Sequence, residues 1–146
     1  MLTTLKQLWQ QAVESKPRKA PHDLALAVAG LMVEVMRMDG HLHEAERATI
    51  IGALQARFDL DAEEVEQLIA RASSKVELAL DMHQFTSVVV KGFSTEERVA
   101  ILAELWAVAQ ADGHVDPYEE QLIRRAAELL GLHHTQFIEA KIQAGI

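Results

Sequence analysis

The chain has no cysteine, so it can have neither disulfides nor thiolate metal centres nor a cysteine nucleophile. Glycine is sparse, at 7 residues, and proline rarer still, at 3. There is no Gly-rich phosphate loop, no Gly-x-Ser-x-Gly elbow and no His-Glu-x-x-His pair, which removes the commonest signatures of nucleotide binding, hydrolysis and zinc proteolysis. Aromatics make up only 5%. No apolar run approaches the roughly 20 residues that a bilayer span requires; the longest, Leu24 to Val33, meets Glu34 and Arg37. Residues Met1 to Gln11 carry no secretory pattern. These features lead us to expect a cytoplasmic protein with no membrane span.

Basic charge is also short. A formal net charge of −8 opposes a nucleic-acid role, because phosphate binding draws on clustered Lys and Arg. The one basic cluster, Lys16, Arg18 and Lys19, lies in a Pro-containing connection (Pro17, Pro21) and reads as a solvated linker.

What remains is a chain of 146 residues, 49% hydrophobic, long enough to fold around a single core. Its apolar residues recur at helical spacing nearly throughout, with no convincing strand. The pattern predicts an all-α protein, a compact bundle of about seven or eight helices forming one domain over residues 1–146. Leu2, Leu5, Trp9 and Ala12 mark a first helix. A second runs from about Asp23 to Met38, apolar on more than one face and therefore central. The next run from about His43 to Phe58 and from Asp61 to Ala72. After the poorly patterned Ser73 to Leu80 come helices from Met82 to Lys91, from Ser94 to Ala109, from Asp116 to Leu130, and a last one after His133. Asp61 with Glu64, Ser94 with Glu97, and Asp116-Pro117 with Glu119 have the spacing of capping boxes.

One stretch occurs twice. Asp39-Gly40-His41-Leu42 is followed by Glu46, and Asp112-Gly113-His114-Val115 by Glu119, 73 positions later. The same shift matches Ala27 to Ala100, Val35 to Val108, Ile50 to Ile123 and Ala53 to Ala126. The pattern therefore predicts an internal repeat, residues 23–72 and 95–144, with halves that bury each other's apolar faces.

Both turns invite a cation. Asp, Gly, an aliphatic residue and a closing Glu match the second half of a calcium-binding helix-loop-helix, but Val35 and Arg37, or Val108 and Gln110, stand where its first carboxylates belong. Calcium or another hard divalent cation would suit Asp112, Asp116 and Glu119, and less fully Asp39, Glu46 and Glu34. Helix capping accounts for the same residues without metal: Asp39 or Asp112 could accept from the next helix, and Glu46 could bond back to a cap at His43. His41, His43 and His114 raise a zinc reading, although no His pair at i, i+4 completes a tetrahedron. Trp106 reads as core, and Glu104, Arg124 and Arg125 as solvated faces.

Leu105-Trp106-Ala107-Val108-Ala109-Gln110-Ala111-Asp112-Gly113, then Asp116, Tyr118-Glu119-Glu120, Leu122-Ile123-Arg124-Arg125 and Leu129-Leu130, resembles the TerB-like, tellurite-resistance-associated domain of bacteria. Residues 23 to 72 resemble it through Glu34, Asp39-Gly40 and Glu46. The resemblance spans roughly Asp23 to Lys141 and implies an all-helical fold, a divalent-cation site at the Asp-Gly turns, and a role in stress-response complexes with protein partners. By position it assigns that site to Asp39, Glu46, Asp112, Asp116 and Glu119, with Glu34. His43 stands where the second copy has Asp116, which ranks the second turn as the better hard-cation site. The expected function is thus non-enzymatic: a module that binds a divalent cation weakly and works through partners. A metal-independent interaction scaffold is the alternative, and a carboxylate-based hydrolase a distant one.

Overall fold

The computed structural model describes residues 21–37, 42–78, 82–111 and 113–146. The expected helix over residues 2–12, Trp9 within it, and the turn residues Asp39, Gly40, His41 and Asp112 lie outside the described residues. Among the described residues there are seven helices and no strand: α1 (Pro21–Met36), α2 (Glu44–Phe58), α3 (Ala62–Leu78), α4 (His83–Gly92), α5 (Thr95–Ala109), α6 (Pro117–Leu129) and α7 (His134–Gln143). The chain is all-α, and one apolar core runs through every helix.

The pattern of α1 decides the arrangement. From Leu24 to Met36 every residue but Glu34 is buried, so α1 has no solvent face and must be enclosed. Helices α3, α4 and α5 cover it, and α2 and α6 complete the enclosure. At one point the cover comes very close: a Cβ on Gly30 would stand 2.3 Å from the Phe85 ring of α4. Only glycine lets that ring lie against the backbone of α1. Around this axis, Leu31, Met32, Ile50, Leu54, Ile69, Leu102, Leu105 and Ile123 are fully buried, each contributing about 1.5–3 kcal/mol relative to exposure.

The helix starts follow local chemistry. Ser94 accepts from the Glu97 N–H (3.2 Å) while the Ser94 N–H donates to the Glu97 carboxylate (2.8 Å), which closes a capping box over α5. Asp61 and Glu64 do the same for α3. Two boundaries differ from expectation. Helix α1 begins at Pro21, so Asp23 sits in its first turn rather than at its cap. Helix α3 continues through the unpatterned Ser73 and Ser74 to Leu78, because Ala72 and Val76 still pack on the core.

Two expected solvated faces are also engaged. Glu104 on α5 receives Arg57 of α2 through Nε and Nη2, at 3.0 and 2.5 Å from Oε2, in a partly buried pair. Arg57 lies 5.9 Å from the Phe93 ring centroid. Arg124 lies 4.5 Å from the ring centroid of Phe137. In each case the planar guanidinium can cover an aromatic face and still reach water. Trp106 is completely buried, with its ring centroid 5.3 Å from that of Phe137.

Candidate functional site

Asp116 begins α6. Its backbone is extended (φ −67°, ψ 140°), Pro117 follows at the first helical position, and the Asp116 carboxylate accepts from the Tyr118 N–H at 2.8 Å. Glu119 reaches back to accept from the Asp116 N–H at 3.1 Å. The capping explanation therefore holds for Asp116 and Glu119. Before the cap, Gly113 takes φ +108°, and its N–H donates to the Gln110 carbonyl at 2.9 Å. That left-handed conformation is cheap only for glycine.

The corresponding start in the first half is built differently. His43 takes the cap position with extended backbone (φ −71°, ψ 154°), but its side chain makes no capping bond. No capping box closes over α2. Glu46, three residues on, turns inward instead, and its carboxyl lies beside that of Glu119. The two acids that the 73-residue register pairs thus meet in space.

This pair is chemically unusual. Glu46 is 4% exposed and Glu119 3%, and they are the only buried charged side chains among the described residues. Burial pushes the Glu119 carboxyl up to about 7; the neighbouring Glu46 carboxyl and the charges of Glu46 and Asp116 push the same way, against the hydrogen bond from the Asp116 N–H. Glu46 Oε1 is buried and has no hydrogen-bond partner. A buried acceptor of that kind costs on the order of 1–3 kcal/mol, more when charged. Both acids stand at the third position of a helix, where the positive end of the macrodipole offsets part of their mutual repulsion.

Of the six acids expected at the site, the structure brings together Glu46 and Glu119, with Asp116 beside Glu119. Glu34 is half-buried near the end of α1, and Asp39 and Asp112 lie outside the described residues. No three His, Asp or Glu side chains among the described residues form a ready metal-binding group. Each turn was expected to offer its own acids; the structure sets Glu46 of the first beside Glu119 of the second, between the starts of α2 and α6. Sequence reasoning missed this meeting. The available signal was that Glu46 and Glu119 hold the same register while occupying a helix position whose neighbours, Ile50 and Ile123, are core.

The described residues thus form a helical bundle with a buried acid pair at two helix starts. The family described as tellurite resistance protein TerB matches residues 25–142, and the chain belongs to that family: it is a tellurite-resistance-associated helical module. Comparison with curated proteins finds no match, and neither does comparison with solved structures. No helix among the described residues is long and apolar enough to cross a membrane.

Proposed function

We propose that the protein is a non-enzymatic, cytoplasmic stress-response module that binds a divalent cation weakly at the Glu46–Glu119 centre and acts through protein partners. The observation that carries this reading is the buried pair with its unsatisfied Glu46 Oε1. Two acids in a low-dielectric site can hold a proton or a cation between them, but two bare charges repel strongly. A cation would satisfy Glu46 Oε1 and neutralise both acids. Glu46 and Glu119 would hold it, with Asp116, the turn acids Asp39 and Asp112, and Glu34 as further oxygen donors. Calcium is the hard-cation candidate for such a set.

Calorimetric titration of the chain with calcium, magnesium and zinc tests this reading. Binding should disappear in the Glu46→Gln, Glu119→Gln double variant. Heats that are unchanged in that variant refute it.

A metal-independent scaffold is favoured by a different observation: Asp116 and Glu119 already satisfy each other's first-turn groups in a capping box. It requires a melting temperature indifferent to chelator and to added cation, since a ligand of the native state must stabilise by mass action.

A further inference from the structure

Between the second half of α6 and the start of α7 lies a cavity of about 120 Å³. Its apolar lining is Ala127, Leu132 and Phe137, all buried. Its exposed rim carries Arg124 and Glu128 on α6, and His133 and His134 at the start of α7. Size decides what can enter. Drug-sized ligands and cofactors occupy pockets of about 300–1,000 Å³, while a cavity of about 150 Å³ takes a benzene-sized group. The space therefore suits a single side chain of a partner rather than a nucleotide or a cofactor.

Arg124 gives the space its polarity. Its guanidinium lies 4.5 Å from the Phe137 ring centroid, and the His134 ring stacks on the same Phe137 at 6.0 Å. The carboxylate paired with it, Glu120 one turn back, stands 3.8 Å away, beyond hydrogen-bond length. None of its N–H groups donates to an acceptor among the described residues. An arginine oriented by a ring, with its donors unused, matches a planar acceptor with two oxygens. The surrounding charge narrows the choice further. With −8 over the chain and Glu128 on the rim, a dianion such as phosphate meets twice the repulsion that a single carboxylate meets. The same acidity opposes a nucleic acid or an anionic membrane.

Resting on the partner half of the reading above, we infer that the α6–α7 cavity is a docking site for a partner peptide that carries one carboxylate side chain beside an aliphatic one. The carboxylate accepts from Arg124, and the aliphatic group enters the cavity against Ala127, Leu132 and Phe137. Glu128 discriminates against a second negative charge on the peptide. The site shares no residue with the Glu46–Glu119 pair and requires no cation.

The test titrates the full chain, labelled with nitrogen-15 and kept in chelator, with the blocked peptide acetyl-Ala-Glu-Leu-Ala-amide. The same peptide with glutamine or phosphoserine in place of glutamate, and inorganic phosphate, are titrated separately. The glutamate peptide should shift the amide resonances of Arg124, Ala127, Leu132 and His134 saturably, and the glutamine peptide should bind at least about ten-fold more weakly. Arg124→Gln should weaken the glutamate peptide by about ten-fold or more, and Arg124→Lys by less, because lysine keeps the charge but not the fork. Arg125→Gln, on the neighbouring exposed arginine, should change it by less than about two-fold. Glu128→Gln should tighten it and narrow the gap to the phosphoserine peptide. All four substitutions are at exposed positions, and circular dichroism checks that each variant is folded. Equal binding of the glutamate and glutamine peptides, tighter binding of the phosphoserine peptide or of phosphate, indifference to Arg124→Gln, or absence of saturable shifts from the glutamate peptide overturns the inference. Saturable shifts that map elsewhere on the chain overturn this site and leave the partner reading standing; the cation half of that reading is measured separately, by calorimetry.

Discussion

Glu46 and Glu119 lie beside each other from the third positions of α2 and α6, and both are buried. Burial and the neighbouring Glu46 charge both hold the Glu119 carboxyl above its ordinary range.

Stability should therefore fall as pH rises through the range in which folded Glu119 loses its proton. Folded Glu119 keeps its proton up to about pH 7, against an ordinary value of 4.5. Between those values the folded chain binds more protons than the unfolded one, so stability is greatest at the acid end of the window, declines toward pH 7, and levels off above it. At about 1.4 kcal/mol per unit, the decline has a ceiling of roughly 3 kcal/mol. Urea denaturation in chelator between pH 5 and 8 measures it.

Replacing Glu46 by its amide should make the decline smaller, because the Glu46 charge goes while the burial of Glu119 stays. Glu46→Gln lets an amide N–H donate to Glu119 without a proton, so the variant should be more stable than wild type at pH 8, by about 1–2 kcal/mol, and nearly equal to it at pH 5. A variant that tracks wild type across the range contradicts the paired arrangement. The same urea series, run in parallel, decides.

The two cap positions should respond unequally to truncation. Asp116→Ala removes a bond to the Tyr118 N–H and should cost about 1 kcal/mol. His43→Ala removes no capping bond and should cost less than about 0.5 kcal/mol. Thermal melting of both variants, in chelator, makes the comparison.

Gly30 should tolerate no side chain. In Gly30→Ala the new methyl would meet Phe85 Cε1 at 2.3 Å, and the rigid ring cannot yield without moving α4 from α1. The expected loss is about 1–3 kcal/mol, partly recovered when Phe85→Leu is added. Unchanged stability in Gly30→Ala alone would show that α4 does not lie as closely on α1 as described.

The Arg57–Glu104 pair should matter more when broken than when replaced. Removing Arg57 leaves Glu104 partly buried without its partner, so Arg57→Ala should cost about 1–3 kcal/mol. The double change Arg57→Leu with Glu104→Leu should be close to neutral: the 73-residue register places Leu130 and Leu31 at the matching positions, and both are buried without charge. A double-mutant cycle by chemical denaturation separates the two effects.

Much of the fold was legible because it depends on local chemistry. The Ser94–Glu97, Asp61–Glu64 and Asp116–Glu119 caps form as their spacing requires, since each box is closed by residues three apart. The burial of α1 was legible too, because a helix apolar on all sides has nowhere to go but inside. Less legible was the end of α3, where Ser73 and Ser74 break the pattern and the helix continues because Ala72 and Val76 still find apolar neighbours. Glu104 read as a surface residue because nothing near it in sequence announces Arg57, which lies 47 positions away.

The amino-acid sequence by itself determined that the chain is helical, where most helices begin, and that residues such as Glu46 and Glu119 occupy equivalent places, because period, capping and register are properties of neighbouring residues. It also carried the TerB resemblance that the family match bears out. Only the tertiary structure decided that Glu46 turns inward beside Glu119, which also caps its own turn. Their meeting depends on how α2 and α6 lie against α1 and α5, and a contact between residues 73 positions apart leaves no periodic trace in either segment. Burial then does what sequence cannot express: it takes two ordinary glutamates out of water, raises the Glu119 carboxyl and leaves Glu46 Oε1 unsatisfied.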